Sequence, residues 1–177
     1  MAVQIARAGT ADLTELAAVA AATFPLACPP SSPAADVAAF IADNLTEAHF
    51  AGYLADPDRA VFIARDRGAV LGYAMVIAGE PTNPDVRRAV PLRPVIELSK
   101  MYVLPQAHGS GAASALMNAA VQYATDRGAQ GVWLGVNQEN QRAQRFYRKH
   151  GYTVAGSKTF TLGGRIEQDY VLVRPLS

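Results

Sequence analysis

The stretch YVLPQAHGSGAASALMNAA, Tyr102 to Ala120, constrains this chain more than any other. It begins as a β-rich run, passes through Gly109, Ser110 and Gly111, and becomes a small-residue helical pattern from about Gly111 to Arg127, ended by Gly128 as a C-cap. A strand handed to a helix through glycines leaves backbone N–H groups unpaired at the positive end of the helix dipole. The residue types support two readings. One is a plain tight turn; the other is a cradle for an anion such as a diphosphate, whose oxygens several fixed N–H donors would match. Neither of the better-known phosphate spacings, GxxxxGKS/T or GxGxxG, occurs at this junction.

Strand and helix patterns extend from it in both directions. VQIARA reads as a short strand, and TADLTELAAVAAATF as a helix with Thr10 at its N-cap and Leu13, Leu16, Ala17 and Ala20 on one face. The segment PLACPPSSP, Pro25 to Pro33, cannot be helical throughout because its four prolines fix the backbone and remove donors, so a surface loop is expected. AADVAAFIADNL and TEAHFAGYLADP, the second with Thr46 as a cap, complete an all-helical insertion. RAVFIARD and AVLGYAMVIAG then form a hairpin about Arg67 and Gly68. A polar, Pro-rich link, EPTNPDVRRAVPLRP, leads into the strand VIELSKMYVL. Beyond the junction come the strand GVWLGV, with Val132 and Trp133 as core residues, the helix NQRAQRFYRKHG stopped by Gly151, and two strands around Gly163 and Gly164. With the insertion counted as one helical unit, the order is β-α-α-β-β-β-α-β-α-β-β. Antiparallel hairpins mixed with crossover helices make the class α+β, a mostly antiparallel central sheet flanked by helices, in a single domain spanning residues 1–177.

Composition removes several classes of function. Sixteen basic and fifteen acidic residues give a formal charge of +1, which offers no electrostatic case for nucleic acid or an anionic membrane. Every apolar stretch is broken well short of the roughly 18 residues that span a bilayer, and the first residues lack a basic-then-apolar signal layout, so a cytoplasmic location is expected. Cys28 has no internal disulfide partner, and with three scattered histidines it has no metal-ligand spacing. Exposed strands near the C-terminal end would allow a homodimer.

ELSKMYVLPQAHGSGAASALMNAA together with GVWLGVNQENQRAQRFYRKHGY resembles the acetyl-CoA binding core of the GCN5-related N-acetyltransferase family, over at least Val95 to Tyr152. In that family a strand ending in Val-x-Pro leads to Q/R-x-x-G-x-G/A and a helix. Here the signature falls on His108, Gly109, Ser110, Gly111, Ala112 and Ala113, with His108 where Gln or Arg is usual. The family's N-x-x-A-x-x-F-Y followed by Gly and an aromatic is matched by Asn140, Ala143, Phe146, Tyr147, Gly151 and Tyr152.

The resemblance implies that the fourth and fifth strands splay into a V. Pantetheine would insert there like an added strand along the backbone of Met101, Tyr102 and Val103, one N–H of which would also hold the oxyanion. It implies acetyl-CoA as cosubstrate, no metal, and direct attack of an amine on the thioester. Tyr147 would be the general acid toward the CoA sulfur, with a core aromatic as the alternative. Asn140 would touch pantetheine or phosphates, cap its helix, or do both. At the strand position where ribosomal-protein members carry a catalytic Glu, this chain has Gly135. Glu97, six residues before Val103 as in histone-type members, would then be the general base, and its apolar strand should raise its pKa. The alternative for Glu97 is a sheet carboxylate paired with Lys100 or Arg93; Tyr170 and His49 are weaker candidates for the base. His108 either faces the diphosphate or points to solvent, and Arg142 and Lys149 either reach the 3′-phosphate or lie on a solvated helix face. The acceptor pocket is expected among Phe24 to Tyr53, Gly79 to Pro94 and Lys158 to Tyr170. Asp36, Asp43, Glu47 and Asp56 there would suit a polyamine, and Arg87, Arg88 and Arg93 an acidic peptide or carboxylated small molecule. A small-molecule or peptide amine is thus the expected substrate. A CoA-binding sensor or interaction module without catalysis, or a phosphate-binding domain unrelated to CoA, are the other classes left open.

Overall fold

The hydrophobic strand runs assemble into one seven-stranded sheet in the order β1-β2-β3-β4-β5-β7-β6. The computed structural model describes residues 2–176. Its strands are β1 (Gln4–Arg7), β2 (Arg59–Asp66), β3 (Ala69–Ala78), β4 (Val95–Val103), β5 (Gly131–Asn137), β6 (Thr153–Leu162) and β7 (Arg165–Pro175). Six α-helices accompany them: α1 (Leu13–Ala27), α2 (Ala34–Asn44), α3 (Glu47–Ala55), α4 (Pro84–Ala89), α5 (Ala112–Asp126) and α6 (Gln141–Lys149). Among the described residues no helix is long and apolar enough to cross a membrane.

Neighbouring strands are antiparallel except β4 and β5, which run parallel and pair only through Val95, Ile96 and Glu97 against Gly131, Val132 and Trp133. Past Glu97 the two strands part. The register of β4 against β3 also breaks there: Val76 faces Leu98 and Met75 faces Lys100, leaving Ser99 as an extra residue. Such a bulge bends its strand, and it does so where β4 leaves β5. Gly72 of β3 keeps the far end of β4 close, since a Cβ there would lie 2.5 Å from the Tyr102 carbonyl oxygen.

Apolar side chains fill both faces of the sheet. Under α5, the fully buried Leu116, Met117 and Ala120 meet Tyr152, Ile96 and Leu134. On the other face, Leu16 and Ala20 of α1 and Phe50 of α3 pack on Ile63, Tyr73 and Met75. A third cluster puts Val86 and Val90 on Trp133 and Val171, and both Val132 and Trp133 are core residues as expected.

Three local expectations need correction. Thr10 does not cap α1: Thr10–Asp12 forms a 3-10 turn in which Gly9 donates its N–H to Asp12 Oδ2 at 2.7 Å, and α1 begins after it. The helix also runs through Pro25 to Ala27, so the Pro-rich loop is shorter than the prolines suggested. Packing of Phe24 into the core outweighs the donor lost at Pro25. The polar link after β3 contains α4, with Pro84 in its first turn and Asn83 Oδ1 accepting from Asp85 N–H at 2.8 Å. The Arg67–Gly68 turn is as expected, both residues having positive φ, 51° and 81°.

Candidate active site

The gap between β4 and β5 continues into two adjoining cavities of about 330 and 580 Å³. They share Ala27, Met101, Tyr102, Asn140, Ala143 and Tyr147, so one side of each opens on the same strip of β4 and α6.

The larger, outer cavity is bounded by the strand-to-helix junction. Gly109 and Gly111 have φ of 83° and 88°, a conformation that costs a residue with a Cβ but not glycine. Among the described residues the N–H groups of Gly109, Gly111 and Ala113 meet no acceptor. Ala112 instead donates to Ser110 Oγ at 3.2 Å, so Ser110 supports the turn from inside and does not line the cavity. His108 is exposed at the rim, and Arg142 lines the wall while Lys149 does not. Opposite, Asn140 caps α6, its Oδ1 accepting from Ala143 N–H at 3.1 Å.

Three further residues anchor these elements without any motif to announce them. Gln144, 7% exposed, donates to the carbonyls of Asn137 and Gln138 at 3.2 and 2.9 Å and so fixes the turn that presents Asn140. Ser114 Oγ and His150 Nε2, 3.2 Å apart, join α5 to the end of α6. Burial, with Arg174 and Lys149 adding to it, keeps the His150 ring below its ordinary pKa.

Tyr147 lies where the cavities meet, its ring set edge-on to Phe146 and Tyr152 at centroid distances of 5.6 and 5.7 Å. Burial pushes its phenol up to about 12, so it is protonated at neutral pH. The core-aromatic alternative is therefore half true: the ring packs, yet it also borders both cavities.

The inner cavity holds a cluster that no sequence motif marks. Glu97 and Lys100 face it from β4, Lys158 from β6, and Glu167 and Asp169 from β7, against an apolar wall that includes Phe24, Phe40 and Phe160. Lys158 donates to Asp169 Oδ2 at 3.0 Å. Burial raises the Glu97 carboxyl, opposed first by Lys158 and then by Lys100 and Arg59. Burial likewise raises Asp169 against its bond to Lys158, and lowers Lys100. The raised Glu97 agrees in direction with the expectation from its apolar strand. Arg93 is not its partner: that guanidinium reaches Glu80 at 3.6 Å and the carbonyls of Val90 and Leu92.

Other sequence candidates lie elsewhere. His49 Nδ1 is 2.6 Å from Thr46 Oγ1 at the cap of α3, and Tyr170 packs into the α5 core on the face opposite Asp169. Neither lines a cavity. The same holds for both charged sets considered for substrate choice. Glu47 meets Thr14, Asp56 pairs with Arg59, Asp36 sits against Gly163, Arg87 pairs with Glu80 and Arg88 with Asp85. Of the three expected acceptor segments, the first and last contribute to the inner cavity and Gly79 to Pro94 does not.

A family model described as "Acetyltransferase (GNAT) family" matches residues 22–152. The chain belongs to the GNAT acetyltransferase family. It is 52% identical to an uncharacterized N-acetyltransferase of Mycobacterium tuberculosis strain H37Rv, over 93% of this chain and 98% of that one. An uncharacterized N-acetyltransferase of Lactobacillus delbrueckii subsp. lactis is 24% identical over 98% of each chain. Among solved structures, a PaiA N-acetyltransferase from Thermoplasma acidophilum in complex with coenzyme A superposes with a TM-score of 0.78, covering 99% of this chain and 100% of that one at 16% identity. That likeness concerns the fold, the mixed GNAT sheet with one parallel pair at its centre. This GNAT chain is accordingly an acyltransferase.

Proposed function

We propose that the protein transfers the acetyl group of acetyl-CoA to a primary amine by direct attack on the thioester. The observation that carries the reading is the meeting of the two cavities at Met101, Tyr102 and Tyr147, because a transferred group must be reached from one side by its donor and from the other by its acceptor.

In this reading the diphosphate rests on the amides of Gly109, Gly111 and Ala113, with Ser110 and Ala112 shaping the turn and His108 at its edge. The match to the junction is one of charge and geometry: backbone N–H groups at the start of a 15-residue helix. Pantetheine follows the edge of β4 freed at Leu98, along Met101 to Val103, and passes Asn140. That the Thermoplasma protein of the same fold is in complex with coenzyme A supports a CoA ligand here.

In the inner cavity, Glu97 accepts a proton from the acceptor ammonium, directly or through water. The neutral amine attacks the thioester carbonyl, a C–N bond forms, and an N–H of Met101 to Val103 takes the oxyanion. As the C–S bond breaks, the sulfur takes its proton from Tyr147, and the nitrogen gives up its second proton, directly or through water, to the tyrosinate, which restores the phenol. Burial keeps that phenol protonated, and the same exclusion of water raises the basicity of the departing thiolate.

The test is a screen of amines with acetyl-CoA, including polyamines, amino acids, arylalkylamines and short peptides, monitored by release of free thiol. Turnover with a subset of amines is expected. No turnover across the panel, with acetyl-CoA affinity retained, would overturn catalysis and return a CoA-binding module of the same fold.

A further inference from the structure

The inner cavity is lined by a carboxylate from β4, Glu97, a carboxylate from β7, Asp169, and a lysine from a third strand, Lys158 of β6. Lys158 stands directly opposite Asp169 across β6 and β7, and the end of its side chain lies over Gly135 of β5, where no side chain intervenes. A Cβ there would lie 2.5 Å from Lys158 Cε, 3.1 Å from its Nζ and 3.3 Å from Asp169 Oδ2. A side chain at Gly135 would displace the end of the lysine from this place, where its ammonium donates to Asp169. Both side chains of the pair are largely shielded, at 15% and 9% exposure, so water screens their charges little. Among the described residues no cation lies within ion-pair distance of Glu97, and Lys158 is the cation that acts on it most strongly.

We propose that Lys158 is a positioning residue of the acceptor site, whose ammonium, seated over Gly135, supplies positive charge to two carboxylates of the same cavity, Asp169 on β7 and Glu97 on β4. The proposal rests on the assignment of Glu97 as base only for its effect on turnover; the electrostatic link itself is independent of that assignment. Other groups acting on the pair of carboxylates are Lys100 on β4 and Arg59 on β2 toward Glu97, and Glu167 toward Asp169. Lys100 and Arg59 remain when Lys158 is removed, so the field at Glu97 weakens without vanishing. Nζ of Lys158 also lies 5.8 Å from the centroid of the Phe160 ring, which limits where the ammonium can swing.

Removing a cation from a buried carboxylate raises its pKa, by about one unit or more at close range. A base must be deprotonated to act, so the acid limb of kcat/KM moves to higher pH by the same shift. The experiment compares wild type with Lys158→Met and Lys158→Arg, through pH profiles of kcat/KM for an amine found in the screen and through 13C-NMR titration of the Glu97 and Asp169 carboxyls. Lys158→Met is expected to move the Asp169 carboxyl, which the ammonium touches, upward by about one unit, and the Glu97 carboxyl and the acid limb upward by less, while acetyl-CoA affinity stays the same. Lys158→Arg is expected to restore most of the shift. Carboxyl titrations unchanged in Lys158→Met would overturn the proposal whatever residue is the base. Shifted carboxyls with an unmoved acid limb would instead support the electrostatic link and overturn the assignment of Glu97. Should Lys158→Met fail to fold, Gly135→Ala pushes the same ammonium aside with the charge retained. An upward shift of Asp169 in that variant supports the proposal, and no shift overturns it.

Discussion

A single side chain can be tested against a single chemical job at this site. If Tyr147 protonates the leaving sulfur, Tyr147→Phe keeps the ring contacts to Phe146 and Tyr152 and loses only the proton. General acids contribute about 10²–10⁴-fold, so kcat should fall by at least about 10²-fold. Calorimetry should give an acetyl-CoA Kd within about twofold of wild type. Equal turnover in the variant would remove Tyr147 from the mechanism. Glu97 makes a prediction in pH. Its folded pKa is raised by burial, so as an active-site base it is protonated and idle below that raised value and competent above it. The wild-type profile of kcat/KM should therefore rise with pH on a limb above the ordinary carboxylate range, and Glu97→Gln should abolish that limb together with most of the activity. A limb that persists in Glu97→Gln would assign the base to another group.

At the scale of elements, the strand-to-helix junction depends on backbone conformation alone. No atom lies within 4 Å of where a Cβ on Gly111 would stand, so Gly111→Ala meets no clash, only the cost of a positive φ, about 1–2 kcal/mol. Chemical denaturation should show a loss of that size, and acetyl-CoA affinity should fall as the amides around the turn rotate off target. Unchanged affinity would separate this junction from the CoA site. The partial pairing of β4 with β5 is a second feature of this scale: three residue pairs hold the strands together, and the bulge at Ser99 then turns β4 away. Much of this was legible in the chain. The strands either side of Arg67–Gly68, the helix closed by Gly128 and the cap at Asn140 lie where periodicity and turn chemistry put them. Thr10, Pro25 and α4 were not, because caps and short helices depend on what they pack against. Gly9 and Asp12 bond each other, Phe24 anchors the end of α1, and Val86 is fully buried beside Trp133.

On the scale of the whole molecule, strands β2 to β4 contribute to apolar clusters on both faces of the sheet. Damage on one face should therefore weaken both. Leu116 is 0% exposed beneath α5, and Leu116→Ala should cost about 2–5 kcal/mol. Far-UV and near-UV circular dichroism should lose signal in one coincident transition, in wild type and variant alike. Two separated transitions would show that the faces fold independently.

By itself the sequence determined the elements whose signals are local: the alternation of strands and helices, the glycines with positive φ, and the motif residues at the two helix starts. Those signals lie within a few neighbouring residues, so they survive without a fold. Only the tertiary structure decided which charges share a cavity. Glu97, Lys100, Lys158, Glu167 and Asp169 come from three strands, and Gly135 of a fourth makes room for the lysine. Asp56, Arg87 and Arg88, which the sequence offered for substrate choice, are instead paired outside the cavities. Sheet order places distant residues side by side, and burial then sets their charge, which neither spacing nor residue type along the chain encodes.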